Sequence, residues 1–168
     1  IFSHEQGQVA VLDNTLAVQG SVLNLPRSGY PQVVLACASV QNGFWFFDQQ
    51  ELEFIRVDAQ LRKLANTGRI DQLLGLTPAP QAMQEHDGKL YVNDPAHGIL
   101  VFDLFGTYMK TIPLLGITDL EVRRGAIHYV QDAHVMVYDM LSFATDTIQI
   151  PDTLGAAMLG MRIERGLL

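Results

Sequence analysis

The sequence predicts an all-β protein made of four-stranded antiparallel repeats, and three observations carry that prediction. A polar residue followed by glycine recurs directly before an apolar run, at Asn42-Gly43, Asp87-Gly88, Arg124-Gly125 and Arg165-Gly166, so the glycines are spaced 45, 37 and 41 residues apart. An aspartate closes an apolar run at Asp13, Asp58, Asp103 and Asp139, at intervals of 45, 45 and 36 residues. Between these marks lie short runs rich in aromatic and β-branched side chains, the composition of strands. Phe44-Trp45-Phe46-Phe47 is apolar on both faces, which only a sheet stacked between two others can bury. Stacked small sheets with a period of roughly 40–50 residues are β-propeller blades.

Each repeat reads in the same order. After the glycine mark comes an aromatic-rich run closed by aspartate: 44–48, Leu90-Tyr91-Val92-Asn93-Asp94, then 127–132. A second run follows a short polar break, at 54–58, Ile99-Leu100-Val101-Phe102-Asp103 and 135–139, with an earlier copy at 9–13. A looser third run (21–25, 111–114) and a fourth (32–36, 120–123) lead back to the next glycine. Asn-Gly and Asp-Gly favour two-residue hairpin turns, because both central residues there need positive φ. Ile70, Leu73 and Leu74 sit at helical spacing, which predicts one short helical turn within 69–76. The tail Thr153–Met161 reads as a strand, since Arg165-Gly166 completes its turn signal. The expected division is a partial blade over 1–29, blades over 30–76, 77–116 and 117–152, and a partial blade over 153–168. A chain that starts inside a second strand and stops just inside another is expected to be an incomplete propeller of about four blade equivalents. A single β-sandwich with similar strand spacing is the competing architecture.

Composition narrows the function classes. Of 168 residues, 48% are hydrophobic and 17% charged, a balance opposite to that of disordered chains. The net charge of -7 argues against nucleic acid, whose phosphates demand a basic footprint. No apolar run reaches the length of a membrane span. Cys37, the single cysteine, has no disulfide partner and reads as a small buried hydrophobe.

The chemistry-bearing residues are few. The repeated aspartates suit Asx turns at strand ends better than a cation site, because positions shared by every repeat serve the shared fold. Asn93-Asp94-Pro95-Ala96-His97-Gly98 places an amide, a carboxylate and an imidazole on one strand-to-strand turn, so Asn93, Asp94 and His97 are the candidate ligand-binding residues. One loop supplies too few ligands for a zinc site, and no metal or cofactor is expected. His4, His86, His128 and His134 lack metal-type spacing, and His128 reads as a packed, hydrogen-bonded strand residue. There is no G-x-S-x-G elbow, P-loop or dinucleotide fingerprint, and no catalytic residue is assigned. Phe44 and Trp45 offer an aromatic platform but read as core.

Gly88-Lys89-Leu90-Tyr91-Val92-Asn93-Asp94 through Ile99-Leu100-Val101-Phe102-Asp103 resembles the blades of NHL and TolB-like six-bladed propellers. The resemblance covers nearly the whole chain as a general blade pattern. It implies a propeller that binds partners, and NHL-type enzymes place metal or catalytic groups on the central axis, which no residue here matches. The expected function is therefore a non-catalytic binding or scaffolding subunit that engages another protein in an extracytoplasmic, periplasmic-type assembly. The alternative is a propeller hydrolase or lyase whose axial metal is partly held by further blades.

Overall fold

A computed structural model describes residues 1–12, 15, 17–40, 42–132 and 134–148, so Asp13, the 153–161 tail and the Arg165-Gly166 mark lie outside the described residues. Fifteen short strands are described, and consecutive strands pair into four sheets, each in chain order. The first sheet has three strands, β1 (Phe2–Ser3), β2 (Gln8–Leu12) and β3 (Val18–Asn24). The other three have four each: β4 (Val33–Ser39) to β7 (Lys63–Asn66), β8 (Ala82–His86) to β11 (Tyr108–Ile112), and β12 (Thr118–Arg123) to β15 (Thr145–Ile148). Between them run β5 (Gly43–Asp48), β6 (Glu53–Asp58), β9 (Lys89–Asp94), β10 (Gly98–Asp103), β13 (Ala126–Gln131) and β14 (His134–Asp139). This is the blade architecture the repeats predict, and among the described residues each sheet is built from its own consecutive strands. The helical turn is α1 (Ile70–Leu74), closed by Gly75 in the left-handed region.

The chain divides into two compact units, residues 1–78 with 102–108, and residues 79–101 with the chain from 109 onward. In the first, Val9 and Leu25 pack against Phe44, Phe46, Ile55 and Val57, so the first sheet lies on the second. In the other, Tyr91, Ile99 and Val101 pack against Val122, Ile127 and Tyr129. Trp45, Phe46 and Phe54 are fully buried, as strands apolar on both faces require. The sheets therefore owe their stability to face-to-face burial, worth about 1.5–3 kcal/mol for each fully covered large side chain.

The hairpin marks resolve into two kinds of turn. His86 pairs with Lys89 and Arg123 with Ala126, leaving Asp87-Gly88 and Arg124-Gly125 as two-residue loops with positive φ at every position. Asn42-Gly43 differs from the expectation. Ser39 pairs with Gly43, so Gly43 is the first residue of β5 and Asn42 alone is known to be left-handed there. Glycine is needed at 43 because a Cβ would lie 2.0 Å from the Val57 carbonyl oxygen on β6. Cys37 is half-buried on β4, more open than a core position. No helix among the described residues is long and apolar enough to cross a membrane.

Candidate functional site

The turn between β9 and β10 holds the three residues singled out by sequence, and the fold uses two of them heavily. Asp94 ends β9 with no exposed surface. Its Oδ1 accepts from the backbone N–H of Ala96 at 3.1 Å and of His97 at 3.2 Å, closing an Asx turn. The same oxygen lies 2.9 Å from His97 Nδ1. Its Oδ2 accepts from the Ala79 N–H at 2.7 Å, pinning the chain that leads into β8. Four partners surround this carboxylate, so it is spent on structure. His97 keeps its second ring nitrogen outside that network, with its side chain about a third exposed.

Asn93 is buried beside it in sequence but points into the sheet stack. Its Nδ2 donates to the Ile117 carbonyl at 3.0 Å, while its Oδ1 is buried without a hydrogen-bond partner. The turn thus brings Asp94 and His97 together as a carboxylate–imidazole pair and sets Asn93 on a separate structural bond. His128 departs from the sequence reading: its Nδ1 is buried and has no hydrogen-bond partner. Among the described residues, no group of three or more His, Cys, Asp or Glu side chains is placed to hold a metal ion.

The repeated aspartates share one local geometry. Asp58, Asp103 and Asp139 each accept, through Oδ1, the N–H of the residue two positions on: Gln60, Phe105 and Leu141, at 2.8–2.9 Å. Each also closes its turn through the backbone, its own N–H donating to Arg62, Thr107 or Ala144. The Arg62 N–H and guanidinium hold the Asp58 carboxyl below its ordinary range, and the Ser142 N–H and hydroxyl do the same for Asp139. An Asx turn of this form turns the second residue's side chain toward solvent. In the second sheet that residue is the polar Gln60. In the third and fourth sheets it is Phe105 and Leu141, and Leu141 (89% exposed) is joined on its own turn by Phe143 (67%). The only clue in the sequence is an apolar residue two places after the repeat aspartate, a signal the strand pattern overshadows.

One side-chain clamp also escaped the sequence reading. Gln84 on β8 donates from Nε2 to the Val122 carbonyl at 3.1 Å, and its Oε1 accepts the Val122 N–H at 2.7 Å. The amide behaves as a one-residue strand that ties the third sheet to the fourth.

No family model and no curated protein matches the sequence. Solved structures do match in fold. Kluyveromyces lactis Hsv2 aligns with a TM-score of 0.59 at 10% identity, over 85% of this chain and 44% of its own. A streptogramin B lyase aligns with a TM-score of 0.58 at 11% identity, over 88% and 49%. The computationally designed Ika4 protein aligns with a TM-score of 0.51 at 14% identity, over 79% and 80%. The fold is that of β-propeller blades. At these identities the likeness is one of fold, and the chain spans about half the length of the Hsv2 and lyase structures.

Proposed function

We propose that this protein is a non-catalytic propeller module that binds another protein through the turns between the third and fourth strands of its sheets. The observation that carries the reading is the exposure of Leu141 and Phe143 on the β14–β15 turn, apolar side chains that the fold holds outward and does not bury. Aromatic side chains such as Phe are enriched at interface cores, and neighbouring exposed apolar side chains are a feature of protein-interaction sites. The turn carboxylates support the same view, because Asp94, Asp103 and Asp139 each accept backbone N–H groups. The blade pattern's likeness to NHL and TolB-like propellers supports the binding of a partner, and we place that partnership in an extracytoplasmic assembly. A photo-cross-linking residue in place of Leu141, compared in cells with the same residue at Arg124, tests the proposal. A discrete protein adduct from position 141 alone is expected. Equal labelling from both positions, or none, defeats it.

The second reading is a lyase or hydrolase with a metal held partly by further blades, and the streptogramin B lyase and virginiamycin B lyase structures favour it as neighbours in fold. Calorimetric titration with zinc, a metal that imidazole ligates, separates the two readings. Stoichiometric binding that His97→Ala abolishes supports the enzyme.

A further inference from the structure

We infer that a gap between the first and second sheets, beside the β6–β7 turn, receives an uncharged apolar side chain from an extended segment of the protein partner. The inference rests on the partner-binding reading above. Val9 and Val11 lie on the same face of β2, yet Val9 is buried (2% exposed) and Val11 is open (46%). The register explains the difference. Val9 pairs with Leu23 and Val11 with Gln19, so three residues of β3 stand against one of β2, with Gly20 at a φ of 83°. Extra residues of this kind bend their strand and break the ladder locally. The two sheets therefore close over Phe44 and Phe46 at Val9 and part at Val11. Between them lies a cavity of about 490 Å³ walled by Val11, Leu23 and Phe44, with the exposed Gln19, Ala59 and Gln60 also lining it.

The lining selects the occupant. Among the described residues that form it none is charged, in a chain whose net charge is -7. The neighbouring Asp58 is paired with Arg62 at 2.6 Å. A charged group entering the cavity would meet no counter-ion in its walls, whereas an apolar one gains the cover of Phe44 and Leu23. The two glutamines ask for a peptide group beside that apolar body. Gln84 shows how such an amide behaves in this protein, gripping the N–H and the carbonyl of Val122 together. Gln19 offers the same donor and acceptor, and Gln60 adds its Nε2 donors, its Oε1 lying 3.5 Å from Arg62 Nη2. The position agrees as well, because Ala59 and Gln60 lie on the turn between the third and fourth strands of the second sheet. That turn carries a polar residue where the next two carry Phe105 and Leu141, so it offers a socket in place of a knob.

The test is an NMR titration of the 168-residue chain with three probes: N-acetylphenylalaninamide, N-acetyllysinamide and maltose. The expected result is a saturable shift of the backbone amides of Gln19, Leu23, Phe44 and Gln60 with the phenylalanine probe, and none with the other two. Ala59→Trp, which fills the cavity from an exposed turn, should abolish that shift with an unchanged far-ultraviolet spectrum. Three outcomes overturn the inference: no shift with the phenylalanine probe, an equal shift with the lysine probe or maltose, or a shift that persists in folded Ala59→Trp. The three wild-type titrations decide the matter even where the variant does not fold. A protein adduct at position 141 without a titration at the cavity overturns this inference and leaves the partner-binding reading standing. A titration at the cavity without an adduct at position 141 supports the cavity's chemistry and defeats that reading instead.

Discussion

At the scale of single residues, the turns carry the most testable energetics. Gly88 has φ of 70° in a two-residue hairpin loop, so a β-branched side chain there is strained whatever space surrounds it. Gly88→Val should lower stability by more than about 1 kcal/mol, read as a fall in thermal midpoint. An unchanged midpoint would contradict the hairpin geometry. The aspartates make the protein acid-sensitive, and the sign is fixed by the direction of their shifts. Asp58 and Asp139 bind protons less readily in the folded state than in the unfolded chain. Their contribution to stability is complete above the ordinary carboxylate value of about 3.9 and is lost as pH falls through their lower folded values. The urea midpoint should therefore drop as pH is taken from about 5 to about 2. Asp139→Asn keeps the acceptor oxygen for Leu141 and Ser142 but removes the titration, so its curve should be flatter. A variant as acid-sensitive as the parent would place the effect elsewhere.

At the scale of elements, the Gln84 clamp shows how two sheets are joined by one side chain. Replacing Gln84 with Leu leaves the Val122 N–H and carbonyl without these partners, at a cost of about 1–3 kcal/mol for each buried group left unpaired. Amide exchange at Val122 should accelerate in Gln84→Leu far more than at Tyr91 on β9, and equal acceleration at both would indicate general unfolding instead. The clamp also marks the limit of what the sequence discloses. Strands were legible because period-two alternation and β-branched runs are local, and the aspartate turns because an Asx turn spans only a few residues. Gln84 is a polar residue in an ordinary strand, and its role depends on a partner 38 positions away that no local pattern encodes. Asn42-Gly43 marks its β4–β5 hairpin but not the two-residue loop expected there, for a related reason. The dipeptide signals a hairpin, but its glycine answers to a carbonyl on β6, and the loop is set by the pairing of Ser39 with Gly43. For the candidate site, the sequence placed Asn93, Asp94 and His97 on one turn but could not show that Asp94 reaches back to Ala79.

At the scale of the whole molecule, each compact unit holds an apolar cluster of its own. One holds Val9, Phe44, Phe46 and Ile55, the other Tyr91, Ile99, Ile127 and Tyr129, and no buried residue belongs to both. Repeat architectures gain stability from each unit and its nearest neighbours, so a core deletion should act on its own unit first. Phe46 is the sharpest probe, being fully buried and in contact with Phe44 and Tyr30 at ring distances of 5.9 and 5.5 Å. Phe46→Ala removes a large ring from a close-packed site and should cost about 3–5 kcal/mol. Native-state hydrogen exchange then distinguishes two kinds of molecule. If stability is held unit by unit, protection falls across β4–β6 by a factor of several hundred, while the amides of β13 and β14 keep most of theirs. If the chain unfolds only as one block, all four sheets lose protection equally. Uniform loss would show that the stacked clusters report one cooperative core, and the reading of blades as separable sheets would have to be given up.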